Sequence, residues 1–264
     1  MSASGIQHNG IDHYIKNHVA VLTMNNPPAN TWTAVSLKYL KDLVSDLNRN
    51  DDVYALVITG QGEKFFSAGA DLTLFASGDK SVAVDMSRIF GEAFEALSSF
   101  RGVSIAAING YAMGGGLEVA LACDIRIAEQ QAKLALPEAK VGLLPCAGGT
   151  QNLTALVGEG WAKRIILCGE QMTAEKAREI SLVEEVVPQG KALEGAIELA
   201  EKVANQSPKS VTACKRLIQN TRTHSIAFGL VKERELFIQL FDTEDQQEGV
   251  NAFLAKRQPQ WKNK

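Results

Sequence analysis

NGYAMGGGLEVALACD (residues 109–124) sets three consecutive glycines, Gly114, Gly115 and Gly116, directly before an apolar run of helical character. A carboxylate, Glu118, follows two residues later. Glycine at a helix start lets another molecule approach the backbone, because no Cβ stands in the way. The first N–H groups of that helix have no partner within it and carry the positive end of its dipole, so the place attracts negative charge. An acid side chain beside it points to proton chemistry next to a developing anion. The stretch is neither a P-loop, since no Gly-Lys-Ser/Thr follows, nor a GxGxxG fingerprint. Taken alone it also fits a close-packed turn in which Glu118 merely complements the dipole.

The sequence on either side supplies the architecture. YALVITG (54–60) and VSIAAI (103–108) are short, almost wholly apolar runs of the kind buried on both faces, and DIRIAE (124–129) is a further strand. DHYIK (12–16) and VAVLTM (19–24) form a predicted hairpin, with NNPPANTWT as a rigid loop before a helix. Val35, Leu37, Leu40, Leu43, Val44 and Leu47 recur at helical spacing, and a long helix is predicted through residues 81–100. This strand–helix rhythm predicts an α/β core with inward parallel strands. It stops near Leu182. After VEEVV (183–187) no strand signal returns, and 191–256 reads as three or four amphipathic helices broken at Ser207-Pro208 and near Thr243. The expected organisation is a core over residues 1–190 and a helical region over 191–264.

Composition narrows the function classes. With 27 Lys+Arg against 30 Asp+Glu the net charge is −3, which gives no argument for nucleic acid or a membrane surface. The basic residues of 202–234, among them Lys209, Lys215, Arg216 and Arg222, read as a solvated helix face in preference to an anion site. Cys123, Cys146, Cys168 and Cys214 form no CxxC pair, and they read as small buried residues in a reducing compartment. His8, His13, His18 and His224 form no HExxH motif or tight cluster, so no metal site is expected. MSASGIQHNG (1–10) lacks the basic lead and apolar core of a secretory signal, and no run approaches a membrane span. The expectation is a cytoplasmic protein.

Two further segments join the glycine run. FFSAGADL (65–72) offers a second loop of small residues after a buried strand, alternatively a polar turn capped by Asp71. LALPEAKVGLLPCAGGT (134–150) carries Glu138, twenty positions after Glu118, behind Pro137 and among apolar flanks where an unpaired charge is uncommon, although by position alone it reads as a surface-loop acid. FSAGADL, NGYAMGGGLEVALACD and PEAKVGLLPCAGGTQ together resemble, in order and spacing, the three signature regions of the enoyl-CoA hydratase/isomerase (crotonase) family. The likeness runs from about residue 10 to the end.

That resemblance implies a fold of repeated ββα units coiled into a spiral, with a helical C-terminal region that makes a homotrimer or a dimer of trimers. It implies an oxyanion hole of two backbone N–H groups, carried over to Ala68 and Gly115, that stabilises an enolate. Hydratases of the family use two glutamates, and both matching positions are acids here, Glu118 and Glu138. The implied reaction is hydration of a 2-trans-enoyl-CoA to a 3-hydroxyacyl-CoA in fatty-acid or related acyl-CoA catabolism. Coenzyme A is then part of the substrate, and no separate cofactor or metal is implied. The alternatives are an enoyl-CoA isomerase and a non-catalytic acyl-CoA- or RNA-binding relative. Carried over by motif, Lys64, Ala68, Ala70, Asp71, Leu72, Gly114, Gly115, Pro137 and Cys146 belong to the substrate site. Phe253 and Lys256, in NAFLAKR, become candidate adenine and phosphate contacts for a neighbour's ligand, or equally parts of an amphipathic terminal helix with a solvated Lys. The sequence departs from the family at Cys146, often glycine there, and at Asn152, often arginine.

Overall fold

The computed structural model describes residues 9–264. His8 and most of the N-terminal stretch MSASGIQHNG lie outside them. The chain opens with the expected hairpin, β1 (Ile11–Lys16) and β2 (Val19–Met24), paired antiparallel. From there each turn of the chain lays down one long strand, then a short strand, then a helix. The first helix, α1 (Ala34–Arg49), starts in a capping box in which Thr33 and Ser36 bond each other's backbone. The next turns are β3 (Ala55–Gly60), β4 (Phe65–Ser67) and α2 (Lys80–Ser98), then β5 (Val103–Ile108), β6 (Tyr111–Met113) and α3 (Gly115–Ala122). A third comprises β7 (Ile125–Glu129), β8 (Lys133–Ala135) and α4 (Gly149–Leu167). The long strands assemble a six-stranded sheet in the order β1-β2-β3-β5-β7-β10, parallel after β2 and closed by β10 (Glu185–Val187). The short ones stack as a second sheet, β4-β6-β8-β9, with β9 (Met172–Thr173) on its edge ahead of α5 (Ala174–Glu179). This is the expected spiral of ββα units.

Strands β3 and β5 read as apolar throughout because both of their faces are covered. On one face lies the core that includes Leu37, Leu56, Ile58, Phe94, Ala106 and Ile108. On the other, α6 (Ala192–Ala204) presents Ala192, Ala196 and Ala200 to Val19, Val21, Ala55, Val57, Ile105, Ala107 and Ile127. That corrects the expected boundary after residue 190: α6 is the second cover of the larger sheet, and only the helices after it extend beyond the spiral. They are α7 (Pro208–Asn220), α8 (Ile226–Leu240) and α9 (Glu244–Leu254).

Two readings of side chains are also corrected. Lys215 is not on a solvated face. Its ammonium is buried against Asp124 at 2.7 Å and donates to the carbonyls of Phe100 and Gly102, pinning α7 to the spiral. Of the cysteines, only Cys123 is buried; Cys146, Cys168 and Cys214 are exposed. Among the described residues no helix is long and apolar enough to cross a membrane.

Candidate active site

The site forms where the loop between β2 and α1 clamps the exit of β4. Asn30 is almost fully buried and donates its amide to the carbonyls of Gln61 and Phe65, while Ser67 returns its hydroxyl to the Asn30 carbonyl at 2.7 Å. The Ala68 N–H donates to Ala29 O at 2.9 Å. Ala68 is therefore not a free oxyanion donor, and that expectation is corrected. Trp32 then forms an isolated parallel bridge with Ala70, its N–H donating to Gly69 O at 2.8 Å and its carbonyl accepting from Asp71 N. Because backbone groups alternate along an extended segment, the Ala70 N–H points away from Trp32 and finds no acceptor among the described residues. The motif offers two small residues on either side of Gly69, and the pairing of Ala68 with Ala29 and of the following segment with Trp32 distinguishes them.

The glycine run meets this loop edge to edge. Gly114 has φ +54° and bonds back to Ala135 O, and Leu117 and Glu118 donate to Gly114 O. Gly115, the first residue of α3, keeps an unaccepted N–H. A Cβ on Gly116 would lie 2.1 Å from Ser67 O, so only glycine lets α3 start against β4. Ala70 and Gly115 line one cavity of about 490 Å³, together with Glu118, Glu138 and mostly apolar side chains.

The two acids enter this cavity from different elements. Glu118 is buried, and one of its oxygens, Oε1, accepts the N–H groups of Ala147 at 2.8 Å and Gly149 at 2.9 Å. Burial raises its pKa, and the two N–H donors oppose that rise. Glu138 starts the 3₁₀ turn Glu138–Val141, and its Oε2 is buried with no hydrogen-bond partner among the described residues. Burial, with a smaller contribution from the charge of Glu118, pushes Glu138 up to about 7. The arrangement holds one carboxylate by fixed donors and leaves the other poised to exchange a proton near neutrality. Cys146 lines the same cavity, and desolvation of its sulfur together with the two acids pushes its thiol up to about 11, so it is not a thiolate nucleophile.

A family profile described as enoyl-CoA hydratase/isomerase matches residues 14–264. The chain belongs to the enoyl-CoA hydratase/isomerase family. It is 39% identical over 249 residues to a 2,3-dehydroadipyl-CoA hydratase of Escherichia coli, covering 93% of this chain and 96% of that one. It is 37% identical over 244 residues to a short-chain-enoyl-CoA hydratase of Clostridium acetobutylicum, covering 90% and 92%. Among solved structures, Pseudomonas aeruginosa DspI is 61% identical with a TM-score of 0.95, covering 99% of this chain and 100% of that one. An enoyl-CoA hydratase from Bacillus anthracis is 36% identical with a TM-score of 0.93, covering 97% and 100%. The chain is an enzyme of this type, on the crotonase fold.

Not all residues carried over from the family meet at the cavity. Ala68, Leu72, Gly114, Pro137 and Cys146 line it with Ala70 and Gly115. Asp71 does not: it caps the 3₁₀ turn Leu72–Phe75 and bonds Thr73. Its carboxyl is lowered by those Thr73 bonds. Lys64 lies in a separate cleft with Glu63, Tyr111 and Gln131. Phe253 and Lys256, at the end of α9, do not line the cavity either, and Phe253 is 82% exposed. Conversely, Thr31, Phe75, Phe90, Met113, Lys140, Val141, Leu143 and Leu144 line it and escaped the sequence reading. Phe90 had only its place in the apolar stripe of α2 to mark it, and that stripe reads as core.

Proposed function

We propose that this chain hydrates a 2-trans-enoyl-CoA to the 3-hydroxyacyl-CoA, in fatty-acid or related acyl-CoA catabolism. The observation that carries this reading is the meeting of two carboxylates and two unaccepted N–H groups in one apolar cavity. The thioester oxygen accepts from Ala70 N–H and Gly115 N–H, which stabilise the enolate as charge develops on it; loss of one such donor typically costs about 3 kcal/mol of barrier. Ionised Glu118, oriented by the N–H groups of Ala147 and Gly149, takes a proton from water as the water oxygen bonds to the β-carbon. The displaced π electrons pass to the enolate, and Glu138 delivers a proton to the α-carbon. One water adds across one double bond, and the pair ends with Glu118 protonated and Glu138 ionised. Coupled acids of this kind titrate as a pair.

Incubation with enoyl-CoA thioesters of several chain lengths, following loss of the conjugated absorbance and identifying the product, tests the reading. Turnover of none of them overturns it. The isomerase alternative needs only one acid, so preserved isomerisation after loss of Glu118 would favour it. Free cysteines fit a cytoplasmic enzyme. The remaining part of the proposal is a homotrimer or dimer of trimers, in which α8 is covered by a neighbour and Phe253 and Lys256 reach that neighbour's coenzyme A.

A further inference from the structure

The two oxyanion donors come from different turns of the spiral, β4 and α3, so some contact has to set their separation. We propose that Trp32 is the positioning residue that does so; this rests on the oxyanion reading under Proposed function. Its backbone holds one donor: the bridge from Trp32 N to Gly69 O and from Asp71 N to Trp32 O turns the Ala70 N–H toward the cavity. Its ring holds the other. A Cβ on Gly115 would lie 3.6 Å from Trp32 Cδ1 and 3.1 Å from Phe90 Cε1, so the first residue of α3 rests on an aromatic floor.

That floor is rigid. Trp32 is 1% exposed and meets Phe94 edge-on at 5.5 Å, and Phe94 meets Phe90 edge-on at 5.6 Å. Both phenylalanines belong to the buried face of α2. The loops also touch directly, since a Cβ on Gly69 would lie 2.7 Å from Met113 O and 3.0 Å from Gly115 N. Any shift of one donor is therefore felt by the other, and Trp32 joins both to α2. Packing alone does not demand the indole, because its buried Nε1 has no hydrogen-bond partner among the described residues. A phenyl ring serves the floor without that unsatisfied donor.

The test is optical as well as kinetic. A bound cinnamoyl-CoA absorbs at longer wavelength when donors polarise its thioester carbonyl, and the shift reports donor alignment independently of stability. Trp32→Ala should lose at least half of the shift and lower kcat about 10- to 100-fold, since small misplacements of preorganised groups have effects of that order. KM should stay within about threefold, because a misaligned donor acts on the transition state more than on ground-state binding. Trp32→Phe should restore both shift and kcat, with a melting temperature no lower than wild type. Leu47→Ala, a buried α1 substitution away from the cavity, controls for lost stability and should leave shift and kcat unchanged. Should Trp32→Ala not fold, Trp32→Leu keeps apolar volume without the ring and should show the same two losses. A wild-type shift and kcat in the Ala or Leu variant overturns the inference, as does an equal loss in Leu47→Ala. A wild-type protein that binds the probe without any shift overturns the oxyanion reading and this inference with it.

Discussion

The spiral and the helices beyond it bury their apolar residues differently. In the spiral every residue of β3 is buried, α1 hides Leu37, Leu40, Leu43, Val44 and Leu47, and Glu118 sits on α3, all of whose residues are buried. In α8 no residue is buried, and Ile226, Phe237, Ile238 and Phe241 face outward. Helix α9 lies between these extremes: Ala252 is buried and Asp245 accepts the N–H groups of Lys262 and Asn263, yet Phe253 and Leu254 are exposed. An apolar surface on that scale is uncommon on a monomer. The helices after α7 thus leave large apolar side chains exposed where β3 buries its own. Chemistry and assembly should therefore be separable by mutation.

The largest effect belongs to the acids. Glu118→Gln and Glu138→Gln should each lower hydration about 10²- to 10⁴-fold while the protein still binds an acyl-CoA and keeps its oligomeric state. The losses need not add, because the two act as one unit. A Glu138→Gln enzyme that hydrates at the wild-type rate would remove that acid from the mechanism. Protein that loses its assembly along with activity would break the separation between the two regions.

Next in size is assembly. Phe237→Asp with Ile238→Asp should convert a trimer to monomer by light scattering, while circular dichroism of the spiral remains. A wild-type protein that is already monomeric and fully active would instead remove the intersubunit proposal. Deleting residues 243–264 is a harsher test. Trp261 donates to Asn205 O and Asn263 to Asp51 O, so the chain end is tied to the spiral as well as to α9. The deletion should lower the melting temperature in addition to weakening coenzyme A binding.

A smaller effect separates stability from catalysis within the spiral. Glu138 has a folded pKa of about 7 against an unfolded value of about 4.3. Between those values the folded state keeps a proton that the unfolded state has released, so stability falls as pH rises through that window. Glu138→Gln removes the penalty. Its melting temperature should exceed wild type at pH 8 and match it below pH 4, while activity is lost at both. Hydration by the wild type should decline as pH rises through the Glu138 transition, because the α-carbon loses its proton donor. An unchanged melting difference between the two pH values would show that burial does not hold this acid in the protonated form.

The same contrast explains what the sequence made legible. Long strands and helices have enough residues for a period, so β3, β5, β7, α1 and α2 were readable from apolar spacing. The second sheet was not, because β4, β6 and β8 have three residues each, and no alternation can be read in three. Covering of the larger sheet by α6 was also hidden, since its buried face is alanine and carries little hydrophobic contrast. At the site, the glycine run, Glu118 and Glu138 were marked by their own local sequence, and the family motifs supplied their expected roles. Ala70 in place of Ala68 was not legible, because which N–H is free depends on Ala29 and Trp32, residues distant in sequence. Lys215 misled for a similar reason: its partners, Asp124 and the carbonyls of Phe100 and Gly102, lie about a hundred positions away.

The smallest expected effect concerns Lys256, which the family likeness makes a phosphate contact across the subunit boundary. It comes just after α9 with φ +53°, and its N–H donates to Phe253 O. Alanine in the same left-handed conformation has a comparable backbone cost, so Lys256→Ala removes the charge without changing the balance of the fold. An exposed ion pair contributes about 0.2–1 kcal/mol, which corresponds to a KM for an enoyl-CoA raised up to about fivefold with kcat unchanged. Screening makes the assignment specific. The difference between variant and wild type should shrink as salt is raised from about 0.01 M toward 1 M, where the Debye length falls to about 3 Å. The same variant should run as the wild-type oligomer by light scattering. A KM change that persists at high salt, or a fall in kcat, would mean that Lys256 acts through the packing of α9 and not through the charge on its side chain.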